Sequence, residues 1–176
     1  MIDPPFANDW AYCAWGALEN LRERRDAMPA RVAAGTLAQD EADHSIAVAR
    51  AIVLQWRWAL DPALLPFPAA HDDPAPFGAP DTDMAEQLRR LAHWRRTNAD
   101  AAPADREARE AALLAEALAW HQDLRDGDLP RIVHFGLIAR RSPAQRFVPD
   151  PAQDAGIYRA LGLSLDRPAN GARAAA

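Results

Sequence analysis

The sequence predicts a mostly all-α protein, with two helical hairpins packed as a bundle, a proline-rich strap and a short irregular C-terminal segment. Three observations predict it. Apolar residues recur at alternating steps of three and four through four long stretches, which aligns them along one helix face. Capping and stop residues bracket those stretches. Between the second and third, prolines at 62, 66, 68, 74, 76 and 80 exclude a continuous helix.

Asn8 or Asp9 is placed to cap the first helix, and Ala11, Ala14, Trp15, Leu18 and Leu21 form its apolar stripe. Glu19, Arg22, Glu23 and Arg25 make the opposite face polar. Pro29 predicts an end or kink at Met28, because proline lacks an N–H and restricts the residue before it. A turn over 30–34 then stops at Gly35, which accepts a left-handed backbone.

The second helix has the clearest pattern. Ile46, Ala49, Val53, Trp56 and Leu60 share one face, which Val48, Ile52 and Leu54 widen. Asp40, Glu41 and Asp43 fall where the positive end of the helix dipole favours acids. Ala38 stands where a capping hydroxyl is expected. Thr36 with Gln39 offers a shifted Thr-x-x-Gln box, which predicts a start two residues earlier. Asp61-Pro62 closes the helix.

In the strap, 61–81, Leu64, Leu65, Phe67 and Phe77 are too apolar for a tether and are expected to lie across the helices. The third helix is predicted from about Asp83 to Thr97, with Met84, Leu88, Leu91 and Ala92 inward. The fourth is predicted from near Pro103 to Asp126, before Gly127, on a stripe of Leu113, Ala117, Trp120 and Leu124. Residues 131–141, RIVHFGLIARR, read as a short strand or a buried helical turn. Asp150-Pro151 starts a last helix that Gly162 ends. Residues 1–165 are read as one domain with 131–165 as its C-terminal segment, and 166–176 as a disordered tail.

Composition narrows the function. Alanine inflates the 49% hydrophobic content, so six tryptophans must supply much of the core. All 20 basic residues are arginine, yet the net charge is −5, which disfavours wholesale coating of nucleic acid. Cys13 is the single cysteine, so an intrachain disulfide and a cysteine-based zinc site are excluded, in keeping with the cytoplasm. The N-terminus lacks the pattern of a secretory signal, and no apolar run is long enough for a membrane span.

The stretch LENLRERRDAMPARVAAGTLAQDEADHSIAVARAIV, from Leu18, places Arg24, Arg25, Pro29, Val32, Ala33, Gly35, Leu37, Glu41, Ala42, Ile46 and Ile52 in a recognisable order. It resembles a helical-hairpin pattern of small phage and prophage proteins. The resemblance covers about a fifth of the chain and implies a hairpin, with no catalytic residue to carry over. DHSIAVARAIV followed by HDD at 71–73 is similar to fragments of HD-type metal phosphohydrolases. That likeness implies a metal site of His44, His71, Asp72 and Asp123 or Asp126, with Asp126 preferred, in which the metal activates water. The proline-rich setting of His71-Asp72 departs from that family, which leaves His44 as an exposed helix residue and His71 as a loop residue.

His121 and Asp123 of HQD fall on different helix faces and read as surface. Cys13 reads as a buried structural thiol. Two segments pair arginine with tryptophan: Arg57 and Trp58, then Trp94, Arg95 and Arg96. An exposed Trp58 beside Arg57 would anchor a partner, whereas a buried one would cover a neighbouring helix or the strap. Arg140, Arg141 and Arg146 form the one compact basic run, fit for phosphate contacts or for solvated and carboxylate-paired roles. Together these readings predict a non-enzymatic protein with no cofactor. Its expected partner is another protein, or a second copy of itself, rather than nucleic acid or a membrane.

Overall fold

The computed structural model describes residues 3–61, 75–125, 129–141 and 151–163, including all side chains there except those of 125, 141 and 151–154. Among them lie six helices: α1 (Trp10–Ala33), α2 (Gln39–Leu60), α3 (Asp81–Ala101), α4 (Arg106–Gln122), α5 (Arg131–Arg141) and α6 (Pro151–Ala160). The mostly all-α expectation holds. α1 packs chiefly on α2 and α3 on α4, and the hairpins join where α1 meets α4 and α2 meets α3. α5 closes over α2 and α4, and α6 lies against α1.

Local chemistry sets most boundaries. The Asp9 carboxylate accepts from the Tyr12 N–H at 3.0 Å and caps α1. Of the end or kink expected at Pro29, the end does not occur. Pro29 sits inside α1, which runs on through Ala33. One hydrogen bond lost near a helix end is tolerated where a strong stop follows. Gly35, at φ 68°, supplies it: its N–H bonds Val32 O and the Thr36 N–H bonds Arg31 O, a Schellman closure.

The shifted capping box also fails. The Thr36 hydroxyl donates back to Arg31 O and serves the end of α1. α2 begins at Gln39, where the Glu41 carboxylate accepts from the Ala38 N–H at 3.1 Å. That is half a capping box, which Ala38 cannot reciprocate.

The second hairpin departs in its bounds. α3 starts at Asp81 and reaches Ala101, longer at both ends than expected. α4 begins at Arg106, where Asp105 caps two N–H groups, and stops at Gln122 rather than Asp126. The chain then turns through a two-stranded ribbon, β1 (Leu124–Arg125) against β2 (Leu129–Pro130), which leaves Leu124 58% exposed. The ribbon leads into α5, so 131–141 is helical and not a strand. α6 begins at Pro151 and closes at Gly162, as expected.

The core joins Ala14 and Ala17 of α1, Ile52 and Trp56 of α2, Met84 and Leu88 of α3, Leu118 of α4 and Ile132 of α5. Phe77 of the strap is buried against it, while Leu64, Leu65 and Phe67 lie outside the described residues, as does the expected tail. Within the core the Asp81 carboxylate accepts from the buried amides of Gln55 (3.4 Å) and Gln122 (3.2 Å), tying α2, α3 and α4 together. Burial raises the Asp81 pKa, against the lowering effect of those two bonds.

Candidate functional site

A cleft of about 610 Å³ opens between α1, α3 and α4. It arises because α1 and α3 pack less closely on one another than on α2 and α4, so α4 forms the floor between them. Leu91 comes from α3, and Leu114, Ala115 and Leu118 from α4, with Trp15 of α1 along the side. Leu114 and Leu118 also belong to the core, which makes the floor apolar and fixed. The Tyr12 and Trp15 rings stack, with centroids 5.4 Å apart and planes 5° from parallel. Tyr12 also donates its hydroxyl to Glu110 at 2.7 Å. Burial first, then the bond and charge of Glu110, push the Tyr12 pKa up to about 12, so the hydroxyl keeps its proton.

The rim is charged. Glu19 and Glu23 of α1, Glu107 and Glu110 of α4, Arg95 of α3 and Arg106 of α4 line it. Arg95 donates to both carboxylate oxygens of Glu23, one at 2.6 Å, and so bridges α3 to α1. The same guanidinium lies 4.9 Å from the centre of the Trp94 ring. Trp94 does not itself line the cleft; it stands beside Arg95, which does, and it is 52% exposed. Tryptophan is enriched at interfaces, where an apolar body meets a wet edge. Arg96, the third member of this segment, donates to Glu116 at 2.7 Å and ties α3 to α4.

The other arginine–tryptophan segment is structural. Trp58, considered as an exposed anchor, is only 5% exposed and packs on α5 and the strap. A Cβ at Gly136 would come within 2.4 Å of its ring. Arg57 is half-buried beside it on α2. Trp58 and Trp94 thus do not share one binding face.

Arg140 is not poised for phosphate. Its guanidinium lies 3.9 Å from the centre of the Trp58 ring and donates to the carbonyls of Gly136 (2.9 Å), Trp58 (2.6 Å) and Asp61 (3.0 Å). It completes the C-terminal end of α2, whose last carbonyls lack helical partners. The Arg141 side chain and Arg146 lie outside the described residues.

Of the expected metal ligands, His71, Asp72 and Asp126 lie outside the described residues. His44 is exposed, with Nε2 3.5 Å from Asp83 Oδ2. Asp123 faces Arg131 at 3.4 Å. Among the described residues no group of three or more His, Cys, Asp or Glu side chains converges to hold a metal.

His121 corrects a reading of the sequence. Expected at the surface, it is fully buried, with Nε2 2.8 Å from Ala7 O. Trp56 and Trp120 meet it edge-on, with centroids at 4.9 and 4.8 Å, and Phe135 at 5.9 Å. Burial, reinforced by the nearby Arg131 charge and opposed by the bond to Ala7, pushes its pKa down to about 4. The ring is therefore neutral near pH 7, and the bond to a carbonyl places its proton on Nε2. It pins the segment before α1 to the end of α4. Cys13 is the buried thiol expected, donating to Phe6 O at 3.3 Å.

Comparison with family models, curated proteins and solved structures finds no match to this chain. None of the helices among the described residues is long and apolar enough to cross a membrane.

Proposed function

We propose that this protein is a non-enzymatic helical binding protein of phage or prophage character, which engages another protein through the cleft between α1, α3 and α4. The observation that carries the reading is Trp94, 52% exposed and packed against the Arg95 guanidinium that lines an apolar-floored cleft. Interface energy concentrates in such aromatic and arginine anchors beside a pocket. The cleft supplies the apolar floor, and its four glutamates against two arginines favour a partner segment with a basic flank. The buried thiol suits a cytoplasmic setting. The helical hairpin that resembles phage proteins directs the search for a partner to a bacterial host.

Affinity capture from a bacterial host tests this with wild type, Trp94→Ala and Leu91→Glu. One partner should be retained by wild type and weakened in Trp94→Ala by roughly 30-fold, from a hot-spot cost of about 2 kcal/mol. Leu91→Glu, which places a charge in the apolar lining of the cleft, should abolish retention. Equal retention by all three chains contradicts the proposal.

A further inference from the structure

A second cleft, of about 600 Å³, lies between α1, α2 and α3. Arg24 lines its α1 wall. Its Nε donates to Asn20 Oδ1 at 3.1 Å and one terminal nitrogen to the Ser45 hydroxyl at 2.6 Å. Neither partner carries charge. The side chain is largely withdrawn from water, and this desolvation, with the like charge of Arg31 nearby, lowers its pKa despite the influence of Glu23. A guanidinium so placed normally has a carboxylate beside it, because an unpaired buried charge is costly.

Three carboxylates, Glu41, Asp83 and Glu86, also line the cleft, and each is engaged with a group other than Arg24 or Arg31. Glu23 holds Arg95, and Glu86 holds Arg90. Asp83 faces His44, and Glu41 accepts from the backbone that starts α2. Arg24 and Arg31 therefore line the cleft with no carboxylate among the described residues in ion-pair contact with either. Ser45, which accepts from Arg24, keeps its own O–H to donate. Met28, Leu37 and Val48 form an apolar wall in the same cleft.

We propose that this cleft binds a small molecule bearing a phosphate group, gripped by Arg24 and Arg31 of α1 and by the Ser45 hydroxyl of α2. Donors reaching in from two helices suit a tetrahedral oxyanion, which accepts in several directions, better than a flat carboxylate. The bound anion supplies the counter-charge that two neighbouring guanidiniums lack. The apolar wall takes the organic part of the ligand, and the volume falls in the range of small-molecule sites. This site is separate from the Trp94 cleft and does not depend on the proposed partner.

Thermal melting and calorimetry of the full chain test it, with inorganic phosphate and phenyl phosphate as probes and sodium chloride and sodium acetate at matched ionic strength. Both phosphates should raise the melting temperature saturably, with phenyl phosphate binding more tightly through its ring. Arg24→Gln and Arg31→Gln should each weaken binding at least tenfold, while Arg50→Gln, exposed elsewhere on α2, binds as wild type. If Arg24→Gln does not fold, the exposed Arg31 still decides the question. No response beyond that of chloride, an equal response to acetate, or unchanged binding by Arg31→Gln overturns the proposal.

Discussion

Gly136→Ala is the sharpest probe of how α5 sits on α2. An alanine Cβ there would lie 2.4 Å from Trp58 Cζ3 and 2.9 Å from Cη2. Ordinary carbon contacts are about 3.5–4.0 Å, so the ring or α5 must move by about 1 Å. The ring has nowhere to go. Trp58 is 5% exposed, lies under Arg140 and meets Phe77 at 5.8 Å. Overpacking of this kind costs about 1–3 kcal/mol, and a rigid indole met by a helix backbone belongs at the upper end. Alanine in place of glycine within a helix offsets about 1 kcal/mol. The net is a loss of roughly 2 kcal/mol, or about 4–8 °C in Tm for a chain of this length. Urea and thermal unfolding measure it, and combining the change with Trp58→Leu should recover part of the loss. A variant as stable as wild type, or more stable by the propensity gain, would refute the seating of Trp58 on Gly136.

Other predictions follow from single contacts. His121 has a folded pKa pushed down to about 4 from an ordinary 6.5. Its contribution is thus complete above pH 6.5 and declines towards pH 4, at up to about 1.4 kcal/mol per unit. Stability should fall between pH 6 and pH 5 in wild type and much less in His121→Gln, and equal slopes would count against the buried neutral ring. Arg140→Gln should cost about 2–3 kcal/mol in urea unfolding, because Trp58 O and Asp61 O lose a charged donor. Cys13, its pKa pushed up to about 12 chiefly by burial, should resist iodoacetamide at pH 8 until the chain unfolds.

The elements that were legible in the sequence are those whose chemistry is local. Asp9, Gly35, Asp61 and Gly162 mark helix ends through their own side chains or backbone, and the α2 stripe follows from spacing alone. Pro29 misled because its local cost was weighed without the Schellman stop six residues later, which decides where α1 ends. The end of α4 is not legible locally: Gly127 offers a ready stop, whereas the ribbon that leads to α5 breaks the helix at Gln122.

His121 carried a signal that pairing it with Asp123 obscured. It stands seven residues after Leu114 and four after Ala117, on the buried stripe. The Trp94 cleft was legible only as a Trp-Arg-Arg segment. Its walls come from 12–23, 91–95 and 106–118, and no local pattern reports that α1 and α3 stand apart. Arg140 reads as surface chemistry from its neighbours in sequence and Trp58 as either an exposed anchor or a buried cover, and the structure joins the two across 82 residues.

The central claim is that a protein partner covers the lip of the cleft between α1, α3 and α4. Hydroxyl-radical footprinting of the captured complex tests it most directly, with Trp94 read against Leu124, another exposed apolar residue. Trp94 should label strongly in the free chain and be shielded in the complex, while Leu124 labels equally in both. Trp94 labelled as strongly in the complex as in the free chain would contradict the claim.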